Sequence, residues 1–146
     1  MKKILKNLKE MEKFAESFAN KTSDSKLAGE AVVVGLYGDL GSGKTTFTKS
    51  FVSAFGVKQT VTSPTFVIEK IYKLPKENNF KHIIHIDAYR LNSGEEMKDL
   101  GWDKISTDPQ NIILIEWPEK IADILPKNTK KIYFKFVDEN TREIIF

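Results

Sequence analysis

An α/β fold, a three-layer α/β/α sandwich around one mostly parallel sheet, is predicted by three features of this 146-residue sequence. Short apolar runs such as Val32-Val33-Val34 and Ile112-Ile113-Leu114-Ile115 show no polar alternation, the pattern of strands covered on both faces. Between such runs lie segments with apolar residues at helical spacing. A glycine-rich loop joins the first run to the helix that follows it. The length suits one domain, residues 1–146, closed by a C-terminal hairpin.

Taken in order, Ile4, Leu8, Met11, Ala15 and Phe18 mark one face of an amphipathic helix. Residues 20–29 are polar and small, which predicts a loop. Residues 31–37 read as a buried strand and 38–43 as a tight turn. Phe47, Phe51, Val52 and Phe55 then form the inward face of a helix that stops at Gly56. Residues 65–74 and 81–87 are strand-like on either side of Pro75, as a hairpin or as neighbouring strands. A short helix is expected over 91–101 and a buried strand over 111–116, closed by Trp117 and Pro118. Residues 132–137 and 142–146 bracket Asp138, Glu139 and Asn140 as the final hairpin.

Composition narrows the function. A net charge of +3 is too small to argue for nucleic acid as a direct partner. The absence of cysteine excludes disulfides and thiolate chemistry and fits a reducing compartment. Lys6, Lys9, Glu10 and Lys13 interrupt the N-terminal apolar residues, and no run approaches the ~20 apolar residues of a membrane span. A cytoplasmic protein without a membrane partner is expected. With His82 and His85 as the only histidines, a zinc site is not.

The segment Gly38-Asp39-Leu40-Gly41-Ser42-Gly43-Lys44-Thr45 fits G-x-x-x-x-G-K-[ST] throughout. Its glycines let the backbone turn its N–H groups inward, and the following helix adds the positive end of its dipole. Lys44 supplies a charge for the β- and γ-phosphates, and Thr45 a hydroxyl for Mg²⁺, a hard cation that prefers oxygen. The strand before the loop and the helix after it, opening with Thr46, are the context this motif requires. ATP with Mg²⁺ is the expected ligand. Asn128-Thr129-Lys130-Lys131 does not supply the Asn-Lys-x-Asp pattern by which GTPases read guanine.

A phosphate loop also needs an acid at the end of a nearby strand. Asp87 and Glu116 both end apolar strands, Asp87 with the shorter reach suited to the metal and Glu116 with the longer reach suited to orienting water. In Thr62-Ser63-Pro64-Thr65-Phe66, a hydroxyl that senses the γ-phosphate and a plain turn around Pro64 are equally open readings. His85 reads as a core histidine satisfied by hydrogen bonds, and Trp117 and Tyr89 as packing residues. Adenine recognition is expected near the loop over residues 20–29, close in sequence to the first buried strand.

Four segments in this order, Tyr37-Gly-Asp-Leu-Gly-Ser-Gly-Lys-Thr-Thr46, Ser63-Pro-Thr-Phe66, His85-Ile-Asp-Ala-Tyr-Arg-Leu91 and Ile115-Glu-Trp-Pro118, resemble the TsaE (YjeE) family, from about Leu8 to Leu125. The resemblance implies a P-loop NTPase required for threonylcarbamoyladenosine formation in tRNA. It implies TsaD and TsaB as partners, which transfer the threonylcarbamoyl group to the adenosine beside the anticodon, so that tRNA is met only through that complex. ATP would be held by Gly38, Asp39, Leu40, Gly41, Ser42, Gly43, Lys44, Thr45, Thr46 and Trp117. The metal set would be Thr45, Asp87 and Glu116, and Lys44, Thr65 and Glu116 would act on the γ-phosphate. One modest departure is Phe66, where other members can carry tyrosine.

Other classes leave weaker marks. A small-molecule kinase would share the loop but needs an Arg-rich lid, and Arg90 and Arg142 are the only arginines. That scarcity predicts slow hydrolysis by the chain alone and faster hydrolysis once a partner completes or orders the site. A non-enzymatic nucleotide-binding adaptor differs from this only in rate.

Overall fold

The computed structural model of the chain describes residues 1–64 and 67–146. Its strands are β1 (Lys2–Leu5), β2 (Val32–Tyr37), β3 (Glu69–Lys73), β4 (His82–Asp87), β5 (Asn111–Glu116), β6 (Lys130–Phe136) and β7 (Arg142–Ile145). The two unbroken apolar runs, which water must not reach from either side, form β2 and β5 at the centre of one sheet of order β1-β7-β6-β2-β5-β4-β3. β6, β2, β5 and β4 pair in parallel, while β3 on β4, β7 on β6 and β1 on β7 are antiparallel. The sheet is mixed, with a parallel centre and antiparallel borders.

Alternation along the strands divides the core into two layers. Val32, Val34, Leu36 and Leu114 pack with Met11 and Phe14 of α1 (Leu8–Ser23) and Phe47 and Phe51 of α2 (Lys44–Ala54). Val33, Ile113 and Ile115 face the other way. They meet Met97 of α3 (Gly94–Asp99), Trp102 of α4 (Trp102–Ser106) and Ile121 of a 3₁₀ helix (Pro118–Ile124). Helices thus cover both faces, as expected of the three-layer sandwich. The final hairpin forms as read, β6 and β7 pairing around residues 137–141.

Several boundaries differ from the sequence reading. Ile4 lies in β1 opposite Glu143 and not on the first helix. The helix starts after Asn7, whose side chain accepts the Glu10 N–H at 2.9 Å while the Lys6 N–H donates to the Glu10 carboxylate at 2.7 Å. This reciprocal cap ends the helix there and releases residues 2–5 to pair as a strand. At its other end α1 runs through Ser23, into the segment read as a loop, because Ala19 and Thr22 are buried and the Thr22 hydroxyl finds the Phe18 carbonyl at 2.8 Å. β3 begins at Glu69; Thr65 and Phe66, read as the start of that strand, lie outside the described residues. Two short helices replace the single one expected over 91–101, divided at Gly101, whose φ of +96° breaks the helical run. No helix among the described residues is long and apolar enough to cross a membrane.

For function, the decisive consequence is that β2, β4 and β5 all end at one edge of the sheet. There Leu36, Asp87 and Glu116 are neighbours in register.

Candidate functional site

The loop after β2 turns on glycines at positive φ: Gly38 at +147°, Gly41 at +79° and Gly43 at +108°. At Gly38 a Cβ would also stand 2.5 Å from the Phe134 carbonyl oxygen, which belongs to β6 and cannot give way. Gly43 leads directly into α2, and among the described residues no side chain caps that helix. The N–H groups of its first turn are therefore left for a ligand, with the positive end of the dipole behind them.

Lys44 opens α2 but points back over the loop. Its side chain is buried, its Nζ donates to the Gly38 carbonyl, and the ammonium stands 4.1 Å from the centre of the Trp117 ring. Burial holds its pKa below the ordinary lysine value, while the carboxylates of Glu116, Glu119, Asp87 and Asp39 pull it back up. Trp117 reaches the lysine because its backbone adopts the left-handed conformation (φ 57°, ψ 47°), a costly state for a tryptophan. Pro118 then packs against Gly35, where any Cβ would approach it to 3.2 Å. The Tyr89 ring leans on the indole at 5.2 Å between centroids.

Asp87 and Glu116, side by side at the ends of β4 and β5, are each 5% exposed. An Asp87 oxygen accepts the Tyr89 N–H at 3.0 Å, and the Asp87 N–H donates to Ile68 at 2.8 Å. Ile68 itself has a φ of +69°, exceptional for a β-branched residue, so the turn behind Asp87 is strained. Glu116 Oε2 lies 2.8 Å from His85 Nε2, both side chains buried.

These groups surround an open cleft of about 610 Å³. Leu40, Gly41, Gly43, Lys44, Thr45 and Thr46 form its floor, and Ser63, Asp87, Tyr89, Glu116, Trp117 and Arg142 its walls. Of the residues singled out from sequence, Gly38, Asp39 and Ser42 shape the loop without lining the cleft, and Thr65 lies outside the described residues. Tyr89, read as a packing residue, lines the cleft, and so does Trp117, which reads as packing from the residues alone and as a nucleotide contact from the family resemblance. His85, read as fully satisfied, is only half so: among the described residues its buried Nδ1 has no partner. The loop after α1, the place expected for adenine recognition, lies at the opposite end of the sheet from this cleft. Lys26 there bonds the Asn79 carbonyl at 2.7 Å and the Gln110 side chain at 2.9 Å, beside the starts of β4 and β5.

Arg142 is the residue that the sequence reading missed, although its rarity was a signal. It opens β7 at the cleft, its Nη1 bonded to the carbonyls of Asp138 (2.6 Å) and Thr141 (3.0 Å), its guanidinium 4.7 Å from the Phe136 ring centre. Its Nε is buried without a partner among the described residues, close to Gly43.

The donor set suits magnesium. Among the described residues no three His, Asp or Glu side chains converge as a ready-made metal cage. Mg²⁺ does not need one: it takes one or two carboxylates and draws its other oxygens from phosphate and water. The exposed Thr45 hydroxyl and the paired Asp87 and Glu116 carboxylates offer hard oxygen along one cleft.

The family model described as "Threonylcarbamoyl adenosine biosynthesis protein TsaE" matches residues 5–144. The chain belongs to the TsaE family. Proteins named tRNA threonylcarbamoyladenosine biosynthesis protein TsaE resemble it closely in sequence. That of Rickettsia prowazekii is 38% identical over 94% of this chain and 88% of its own length. That of Bacillus subtilis is 40% identical over 78% and 68%, and that of Streptomyces coelicolor 42% over 74% and 71%. The crystal structure of YdiB from Bacillus subtilis superposes with a TM-score of 0.73 at 31% identity, covering 99% of this chain and 82% of that one. The TsaE match extends past Leu125, where the recognisable motifs end, through β6 and into β7, and so takes in Arg142.

Proposed function

We propose that this TsaE protein binds ATP with magnesium and hydrolyses it, in the cytoplasm, in support of threonylcarbamoyladenosine formation on tRNA. The observation that carries this reading is the convergence on one cleft of an uncapped helix start, a buried lysine and two adjacent carboxylates. The names of its relatives supply the pathway.

In this reading the triphosphate lies over the Gly38–Thr46 segment, and Lys44 exchanges the Gly38 carbonyl and the Trp117 face for phosphate oxygens. Thr45, Asp87 and Glu116 hold the magnesium, which when bound neutralises charge on the β- and γ-phosphates. Glu116 orients the attacking water and Thr65 belongs to the segment that senses the γ-phosphate. Arg142, with Lys44, gives the cleft two cations. The base and ribose occupy the adjoining groove of about 150 Å³ between Asn7, Leu8 and Met11 on one side and Glu139, Asn140 and Arg142 on the other, which meets the phosphate loop at Gly43 and Thr46. A kinase would need further cations for its acceptor. The cations that line this cleft are Lys44 and Arg142.

With Lys44 assigned to the phosphates and Arg142 tied to two carbonyls, no further cation among the described residues lining the cleft is placed to follow the migrating phosphoryl group. Single-turnover hydrolysis is therefore expected to be slow for the chain alone and to accelerate when TsaD and TsaB are added. Equal rates with and without that pair would overturn the partner-dependent part of the reading. For the metal, Asp87→Ala is expected to weaken ATP binding about 10- to 100-fold in magnesium, the loss of one charged contact. In EDTA it should leave affinity near that of the unaltered protein. Calorimetric titration under the two conditions makes the comparison.

A further inference from the structure

β4 places one histidine among isoleucines. Ile84 and Ile86 face the α3 and α4 layer, while His85 and Asp87 share the opposite face, toward Glu116 on the neighbouring strand. His85 is 1% exposed and Glu116 5%. Burying such a pair carries a desolvation cost that an aliphatic side chain at position 85 would avoid. Packing alone therefore does not account for it. The bond is specific, from Nε2 to Oε2 at 2.8 Å, and the other ring nitrogen is left without a partner among the described residues. Asp87 and Lys44, meanwhile, line the same cleft as Glu116. A glutamate with three rotatable bonds and no anchor there would have no fixed orientation toward the cleft.

We propose that His85 is the positioning residue of Glu116: its Nε2–H holds Oε2 and presents the other carboxylate oxygen to the cleft. Partners of this kind, standing one layer behind the reacting groups, commonly change activity about 10- to 100-fold when removed. The inference rests on reading Glu116 as the group that acts on the attacking water, and the test separates the two.

In the first arm, ¹⁵N NMR follows the full-length protein, whose two histidine signals are assigned by comparison with His82→Gln. His85 is expected to carry its proton on Nε2, and its ring signals are expected to move when ATP and magnesium are added. A proton on Nδ1 with Nε2 bare, or signals that stay still while calorimetry detects bound nucleotide, would overturn the proposal. In the second arm, His85→Leu is expected to lower kcat about 10- to 100-fold with KM near wild type, and His85→Gln, which keeps a donor near the Nε2 position, to recover part of the loss. Equal kcat in wild type and His85→Leu, or equal losses in the Leu and Gln variants, would also overturn it. Should His85→Leu fail to fold, the NMR arm and His85→Gln still decide. If wild-type protein shows no hydrolysis with or without partners, it is the reading of Glu116 that fails, and the NMR arm alone judges the bond.

Discussion

Glu116→Gln is expected to abolish most hydrolysis while sparing nucleotide binding. Glutamine matches glutamate in size and still offers an oxygen to His85 Nε2, so the buried pair survives as a neutral hydrogen bond and the core around β5 is undisturbed. What disappears is the negative charge that draws a proton from water. Positioned general bases contribute about 10²- to 10⁴-fold, and kcat should fall by that order. Affinity for ATP should change far less, because Lys44 and the loop amides remain and one carboxylate, Asp87, still faces the metal position. Single-turnover assays with TsaD and TsaB present, alongside calorimetry, separate the two quantities. A variant that hydrolyses at the wild-type rate would remove Glu116 from the chemistry and leave it a structural partner of His85.

Lys44→Ala has the second large effect, in the opposite pattern: binding fails first. A contact to a charged group is worth about 1.5–3 kcal/mol, so ATP affinity should drop about 10- to 100-fold. The fold should be spared, because the lysine's polar partner is the Gly38 carbonyl at the edge of the cleft and its burial is itself unfavourable to the charge. The sign of its pH dependence follows from the lowered pKa. The unfolded chain holds this proton more tightly than the folded one, so the folded state gains stability as pH rises through the lowered pKa toward the ordinary value of 10.5. Below that window the buried charge costs stability. Urea unfolding of wild type and Lys44→Ala at neutral and alkaline pH should show that pH-dependent gain in wild type and not in the variant. If the two stability curves run parallel, or if the variant titrates ATP like wild type, Lys44 does not hold the position described.

By itself the amino-acid sequence determined whatever depends on neighbours along the chain. The glycine spacing from Gly38 to Gly43 dictates a loop that only small residues can turn, and Lys44 and Thr45 follow it at fixed offsets. The unbroken apolar runs dictate buried strands, and the ends of those runs locate Asp87 and Glu116. Tertiary structure decided everything that depends on which strand lies beside which. Asp87 meets Glu116 because β4 pairs with β5 in that register, and His85 reaches Glu116 only through the same pairing. Arg142 enters the cleft because β7 folds back on β6 with its first residue at the phosphate-loop end of the sheet. Residues 2–5 become a strand only because β7 offers them an edge. A strand pattern records that a side chain must be buried, not which side chain it will face, since backbone hydrogen bonding is the same for every neighbour. Strand order and register therefore supplied the contacts that convert a legible phosphate loop into a site.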